Sequence, residues 1–182
     1  MLRKLLLYAC LLTLTQCSKC KNDPIPESPK DPLSTLPPET QTGAGTFGCL
    51  INGKAMNVRS SFLTLGDWTS PNSLRVLGST SATGPEYSFQ MVLRGRLSSG
   101  ETFNLVSYRK PFAGIGNEFG ANSSTQNYSC IYSGDYVKTG RIELVKFDGV
   151  QRIAAGRFAF ILYEPGGCDT LRVTNGRFDV KF

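Results

Sequence analysis

The sequence predicts an all-β fold, an antiparallel β-sandwich or barrel of about eight to ten strands, behind a signal peptide and a disordered Pro-rich linker. Three observations carry this. From residue 43 onward apolar and polar residues alternate at a period of two; Asn-Gly and other Gly-containing turns separate the alternating runs; and no stretch there keeps the 3.6-residue period of a helix. A chain of 182 residues, 40% hydrophobic and 19% charged, is ordinary material for a single core. Two packed sheets or a closed one would also avoid the aggregation hazard of open edges.

Residues 1–16 place Arg3 and Lys4 ahead of the apolar run "LLLYACLLTLT", the basic-then-apolar order of a secretory signal peptide. The run is too short for a helix that crosses a bilayer, which takes about 20 residues, so its removal is expected. "LTQC" at 14–17 resembles the lipobox of bacterial lipoproteins, in which a leucine precedes by three positions the cysteine that is lipidated and becomes the new N-terminus. Gln16 stands where Gly, Ala or Ser is usual. The resemblance implies lipidation of Cys17, and an anchor of more than one acyl chain holds stably at about 0.8 kcal/mol per buried methylene. "CSKC" at 17–20 also reads as a C-x-x-C metal or redox pair, but that reading needs a folded frame such as a βαβ unit, and the neighbouring sequence supplies none.

Residues 17–42 form the tether. "SKCKNDPIPESPKDPLSTLPPETQT" holds six of the ten prolines and almost no periodic apolar residues, a composition that does not build a packed core. At about 3.1 Å per residue in polyproline II, the segment after Cys17 would reach roughly 75 Å from a membrane.

The domain, residues 43–182, opens with "FGCLI" and "KAMNV" on either side of Asn52 and Gly53. An Asn-Gly pair suits a type I′ turn, which needs positive φ at both central residues; that register sets Cys49 against Met56 and Phe47 against Val58. "YSFQMVLRG" at 87–95 puts Tyr87, Phe89, Met91 and Leu93 on one face of a half-buried strand. "KPFAGIGNEFGANSSTQN" at 110–127 lacks strand alternation and reads as a long loop, the kind that carries function in compact domains. "YSCIY" at 128–132 is a strand. "GRIELVKF" and "RIAAGRFAFILYE" form a hairpin about Asp148 and Gly149, the second strand apolar on both faces and therefore expected to be central and covered on both sides. "LRVTNGRFDVKF" suggests a final hairpin about Asn175 and Gly176, with Val173 opposite Phe178, Leu171 opposite Val180, and Arg172 opposite Asp179 as a cross-strand charge pair.

The chain carries a formal net charge of +6 and no histidine, which excludes His-based triads and most zinc sites. From Gly43 there are 15 Lys and Arg against 10 Asp and Glu, a balance of +5, scattered in a way that serves solubility. The nearest approach to a basic stripe is "RGR" at 94–96, so no nucleic-acid partner is expected. Of the domain's cysteines, Cys130 and Cys168 are the favoured disulfide, with Cys49 a buried thiol on the apolar side of its strand. Phe112 and Phe119 in the long segment are candidate stacking residues for a sugar or peptide, or else pins that hold the loop to the core. Trp68 in "GDWTSPN" is a candidate carbohydrate platform, or else a cap on a core edge. The glycines match no phosphate-binding spacing; acidic residues alone offer only unspecific pairs for glycoside hydrolysis. No metal, cofactor or catalytic residue is indicated.

"LPPETQTGAGTFGCLINGKA" at 36–55 and the closing "GRFDVKF" resemble an uncharacterised family of Bacteroidetes lipoproteins, whose "LPP.TQTG..TFGC" opening and "GRFD" ending bracket an all-β domain. The resemblance implies an outer-membrane or periplasmic location and brings no established activity; with a lipid anchor, the outer membrane, on its periplasmic or surface face, is the expected place. Three functions then stand in order: a lipid-anchored binding or structural domain with a protein or glycan partner, a lipocalin-like carrier of a small apolar ligand, and a carbohydrate-active enzyme.

Overall fold

A computed structural model describes residues 31–58, 64–68, 72–80, 86–104, 118–125, 128–132, 137–164 and 168–182. Cys17, Cys20 and Phe112 lie outside them. The first strands, β1 (Thr46–Ile51) and β2 (Lys54–Val58), form the expected hairpin. Asn52 and Gly53 have φ of 49° and 82°, and Phe47 pairs with Val58 and Cys49 with Met56. β3 (Thr64–Trp68), β4 (Ser73–Ser79) and β5 (Glu86–Arg94) follow as an antiparallel meander. β6 (Thr102–Asn104) crosses to the other sheet, and β7 (Glu118–Thr125) and β8 (Tyr128–Tyr132) extend the meander. β9 (Val137–Asp148), β10 (Ile153–Leu162) and β11 (Leu171–Lys181) complete the fold. Two antiparallel sheets result, a six-stranded one in the order β2-β1-β11-β10-β9-β6 and a five-stranded one in the order β3-β4-β5-β7-β8. The architecture is a sandwich.

Alternation along each strand delivers one face to the space between the sheets. Phe47, Phe89, Met91 and Phe160 are buried there with Phe158, Leu162, Ile142 and Val173. The aromatic rings meet across the sheets, Phe89 standing 6.0 Å from both Phe47 and Phe160, with Phe47 5.0 Å from Phe158. Gly78 makes room for this cluster, since a Cβ there would lie 2.4 Å from the Phe47 ring. Cys130 on β8 is bonded to Cys168, which precedes β11, so the disulfide ties one sheet to the other. Tyr132 donates its hydroxyl to the Asp169 carbonyl beside it at 2.6 Å.

Four expectations are corrected. "LRVTNGRFDVKF" is no hairpin but the single strand β11, central in its sheet between β1 and β10. Its inward residues are Leu171 and Val173, then Gly176, Phe178 and Val180. The apolar parity therefore shifts by one, which a bulge satisfies as well as a turn does. Asn175, with φ of 52°, is the extra residue. Gly176 serves packing, for a Cβ on it would lie 2.4 Å from the Phe158 ring. Arg172 and Asp179, on one strand, do not pair; Asp179 is buried and faces elsewhere.

Second, β10 is central but covered on both sides only at its start. Ala154, Ala155 and Gly156 are buried, whereas Ala159 and Tyr163 are exposed. Third, the segment 110–127 is not loop throughout, since β7 occupies 118–125 and pairs with both β5 and β8. Backbone hydrogen bonds recruit a Gly- and Ser-rich segment without needing alternation. Fourth, the tether does not run to residue 42. Residues from Asp31 belong to the domain: a 3-10 turn at Pro32–Thr35 is capped by the Asp31 carboxylate, and the chain then lies across the outer face of the six-stranded sheet with Leu36 and Pro37 buried. Proline spoils a core strand for want of an N–H, yet it packs well as an apolar ring on a sheet face. Gly48 admits it, because a Cβ there would lie 2.4 Å from Pro37 Cδ.

Candidate functional site

The strap, residues 36–44, is fastened at its far end by Asp179. The Asp179 carboxylate accepts from Thr40 Oγ1 at 2.6 Å, from the backbone N–H of Thr42 at 2.9 Å and Gly43 at 2.7 Å, and from Ala44 N–H at 3.2 Å. Burial alone would raise its pKa, but these four donors outweigh burial and hold it below the ordinary carboxylate range. Nearer the start of the strap, Arg177 Nη1 donates to the Pro37 carbonyl at 3.1 Å, and Asn57 Nδ2 donates to Thr35 O at 2.6 Å. Arg157 forms a 2.6 Å ion pair with Glu39. That hydrogen bond is the main reason the Glu39 carboxyl titrates below its usual value; with both side chains about half exposed, the pair adds little to stability.

Beyond the strap, the outer face of β9, β10 and β11 is open and holds a depression of about 300 Å³, lined by Glu39, Arg141, Glu143, Arg157, Ala159 and Arg177 together with Asn175 and Gly176. Register places these side chains. Arg157 is directly opposite Glu143 on one neighbour and Arg177 on the other, and Ala159 is opposite Arg141. Like charges directly opposite one another are destabilising, so the arginine pair across β10 and β11 needs the carboxylates beside it. Arg141 is exposed, and its one polar contact among the described residues is a 3.5 Å approach to Thr102 Oγ1. Arg177 Nε is buried with no partner.

Of the residues singled out from the sequence, Trp68, Phe119 and Cys49 lie elsewhere. Trp68 ends β3, on the edge of the five-stranded sheet; it stacks on Phe147 at 5.4 Å and Phe182 at 5.5 Å and remains 37% exposed. Its ring thus covers a core edge, next to the 2.6 Å Asp67–Arg75 cross-strand pair. Phe119 falls on β7 with its Cα opposite Met91, three strands from Trp68 in the sheet order. Cys49 is a free, buried thiol whose pKa burial pushes up to about 12. No local pattern marks the arginines of the depression, but Gly-Arg recurs at 140–141, 156–157 and 176–177, once in each of three adjacent strands.

Among the described residues no group of three or more His, Cys, Asp or Glu is placed to hold a metal ion. No protein-family model, curated protein or solved structure matches the chain.

Proposed function

We propose that this protein is a lipid-anchored component of a bacterial cell envelope, held by an acylated Cys17 and displaying a β-sandwich that binds a partner on the open face of its six-stranded sheet. The observation that carries the reading is the Cys130–Cys168 disulfide between the two sheets, lying downstream of a basic-apolar leader that ends in Cys17. Such bonds persist in oxidising compartments such as the periplasm and the cell surface. The resemblance to envelope lipoproteins of Bacteroidetes points the same way and favours the outer membrane.

Strap docking changes the geometry of display. Because the domain begins at Asp31, only residues 18–30 separate it from Cys17, and a fully extended chain spans at most about 3.3–3.6 Å per residue. The domain is then held within roughly 45 Å of its anchor rather than the roughly 75 Å of a longer stalk. A carrier of the lipocalin kind would need a lined cavity between the sheets, where Phe89, Met91, Phe158 and Phe160 pack. A glycoside hydrolase would need a carboxyl with a raised pKa, a role that Glu39 and Asp179, both held low, do not fill. Fractionation of cells expressing the full chain and Cys17→Ser tests the anchor. The wild-type chain should sediment with membranes and resist salt extraction, and the variant should be released. Equal membrane retention of the two would contradict lipidation at Cys17.

A further inference from the structure

We infer that the depression beside the strap binds a hexuronic acid, either free or as a residue of an acidic polysaccharide. The inference deepens the reading of the domain as a binding module but does not depend on the anchor.

The floor and the walls each contribute. Ala159 is exposed and lies beside the bulge at Asn175, so a small side chain leaves room between the longer ones that line the depression. The volume, about 300 Å³, sits at the low end of ligand sites, about 300–1,000 Å³, and suits one sugar ring with neighbours left in solvent. Three arginines and two glutamates give the lining a balance of +1. Arg157 is committed to Glu39, and Arg177 to the Pro37 carbonyl. Arg141 has no carboxylate within ion-pair distance among the described residues. A planar guanidinium fork in that condition matches a carboxylate with two parallel hydrogen bonds.

The two glutamates and Asn175 narrow the ligand class. A sulfate ion would meet the repulsion of Glu39 and Glu143 and offer them no donor. A ring that carries hydroxyls as well as a carboxylate gives the glutamates hydrogen bonds and Arg141 its counter-charge. A neutral sugar would cover Arg141 without neutralising it, which costs desolvation. An acidic peptide fits poorly, since a peptide lying on a sheet face rather than along an edge leaves its backbone groups unpaired.

The test is calorimetric titration of the full chain, purified in detergent, with sodium glucuronate, sodium galacturonate and an oligogalacturonate, and with glucose and sodium sulfate as comparators. At least one uronate should bind saturably and at least tenfold more tightly than glucose or sulfate. Arg141→Gln, at an exposed position whose one polar side-chain contact among the described residues is the long 3.5 Å approach to Thr102 Oγ1, should melt as wild type and weaken that binding at least tenfold. Backbone amide shifts of the wild-type chain should centre on Arg141, Ala159 and Asn175, which keeps the inference testable should the variant misfold. Binding of the oligomer alone would support a polysaccharide residue as the ligand, and binding of the monomer a free sugar acid. Absence of saturable uronate binding, equal binding of glucose or sulfate, an unaffected Arg141→Gln, or shifts confined to the Trp68 end would each overturn it. Membrane fractionation of Cys17→Ser is unaffected by any of these results, so the anchor and the ligand fail separately.

Discussion

Replacing Asp179 by asparagine removes a charge and turns one acceptor oxygen into an NH₂ group that faces N–H donors. In the wild type the carboxylate gathers Thr40 Oγ1 and the N–H groups of Thr42, Gly43 and Ala44 within 3.2 Å. Hydrogen bonds to a charged group contribute about 1.5–3 kcal/mol each, but they are not additive here, because a strap that lifts off lets water satisfy its donors. The cost is therefore capped by the free energy of strap docking, including reburial of Leu36 and Pro37, and we expect about 3 kcal/mol, the low end of the range for breaking a buried charged network. For a domain of this size that is a fall in Tm of about 6–12 °C, to be followed by circular dichroism. Hydrogen exchange should show residues 36–44 losing protection first. The sign of the pH effect is fixed as well. With its folded pKa below the unfolded value of about 3.9, Asp179 adds stability that is fully present above that value and is lost as pH falls through the folded pKa. The variant should thus differ most from wild type near neutral pH and converge toward it in acid. A variant that melts within about 2 °C of wild type, with the strap still protected, would refute the clasp.

Gly176→Ala should cost about 1–3 kcal/mol by overpacking against Phe158, and a double-mutant cycle with Phe158→Leu should recover part of that cost. Asn175→Val should destabilise by about 1–2 kcal/mol, since a β-branched residue resists the positive φ of the bulge; chemical denaturation measures both changes. Opening the Cys130–Cys168 bridge, whose partners are 38 residues apart, should lower stability by about 4 kcal/mol in the chain-entropy treatment, read by urea midpoints of Cys130→Ala/Cys168→Ala against wild type. Cys49, with its pKa near 12 and its thiol buried, should stay unlabelled by a thiol reagent at pH 8 in the folded protein and react once the chain is unfolded.

What could be read from the sequence was whatever local chemistry decides alone. Asn52-Gly53 specified its hairpin because both residues tolerate positive φ and the flanking alternation admits one register. At Asn175-Gly176 the same dipeptide was ambiguous: a two-residue turn and a one-residue bulge both correct the parity between Val173 and Phe178, and only the places open beside β1 and β10 choose between them. The strap was hidden because Leu36 and Pro37 have no periodicity of their own, and the partner of Pro37, Gly48, announces itself only as a missing side chain. Its fastening joins Asp179 to residues 40–44, a separation no local pattern reveals. Yet "LPPETQTG" and "GRFD", far apart in the sequence, hold the two halves of this fastening. The depression was obscured for a related reason: Arg141, Arg157 and Arg177 look like scattered solubilising charges until strand order brings the three Gly-Arg pairs side by side.

The central claim, an acylated Cys17 holding an oxidised sandwich in the envelope, is tested most directly by the intact mass of protein extracted from its native membrane, with fragmentation from both ends. The account expects an N-terminus at Cys17 that carries the added mass of acyl chains, and Cys130 and Cys168 joined to each other. A chain that retains residues 1–16, or begins after Cys17 with no lipid attached, would contradict it.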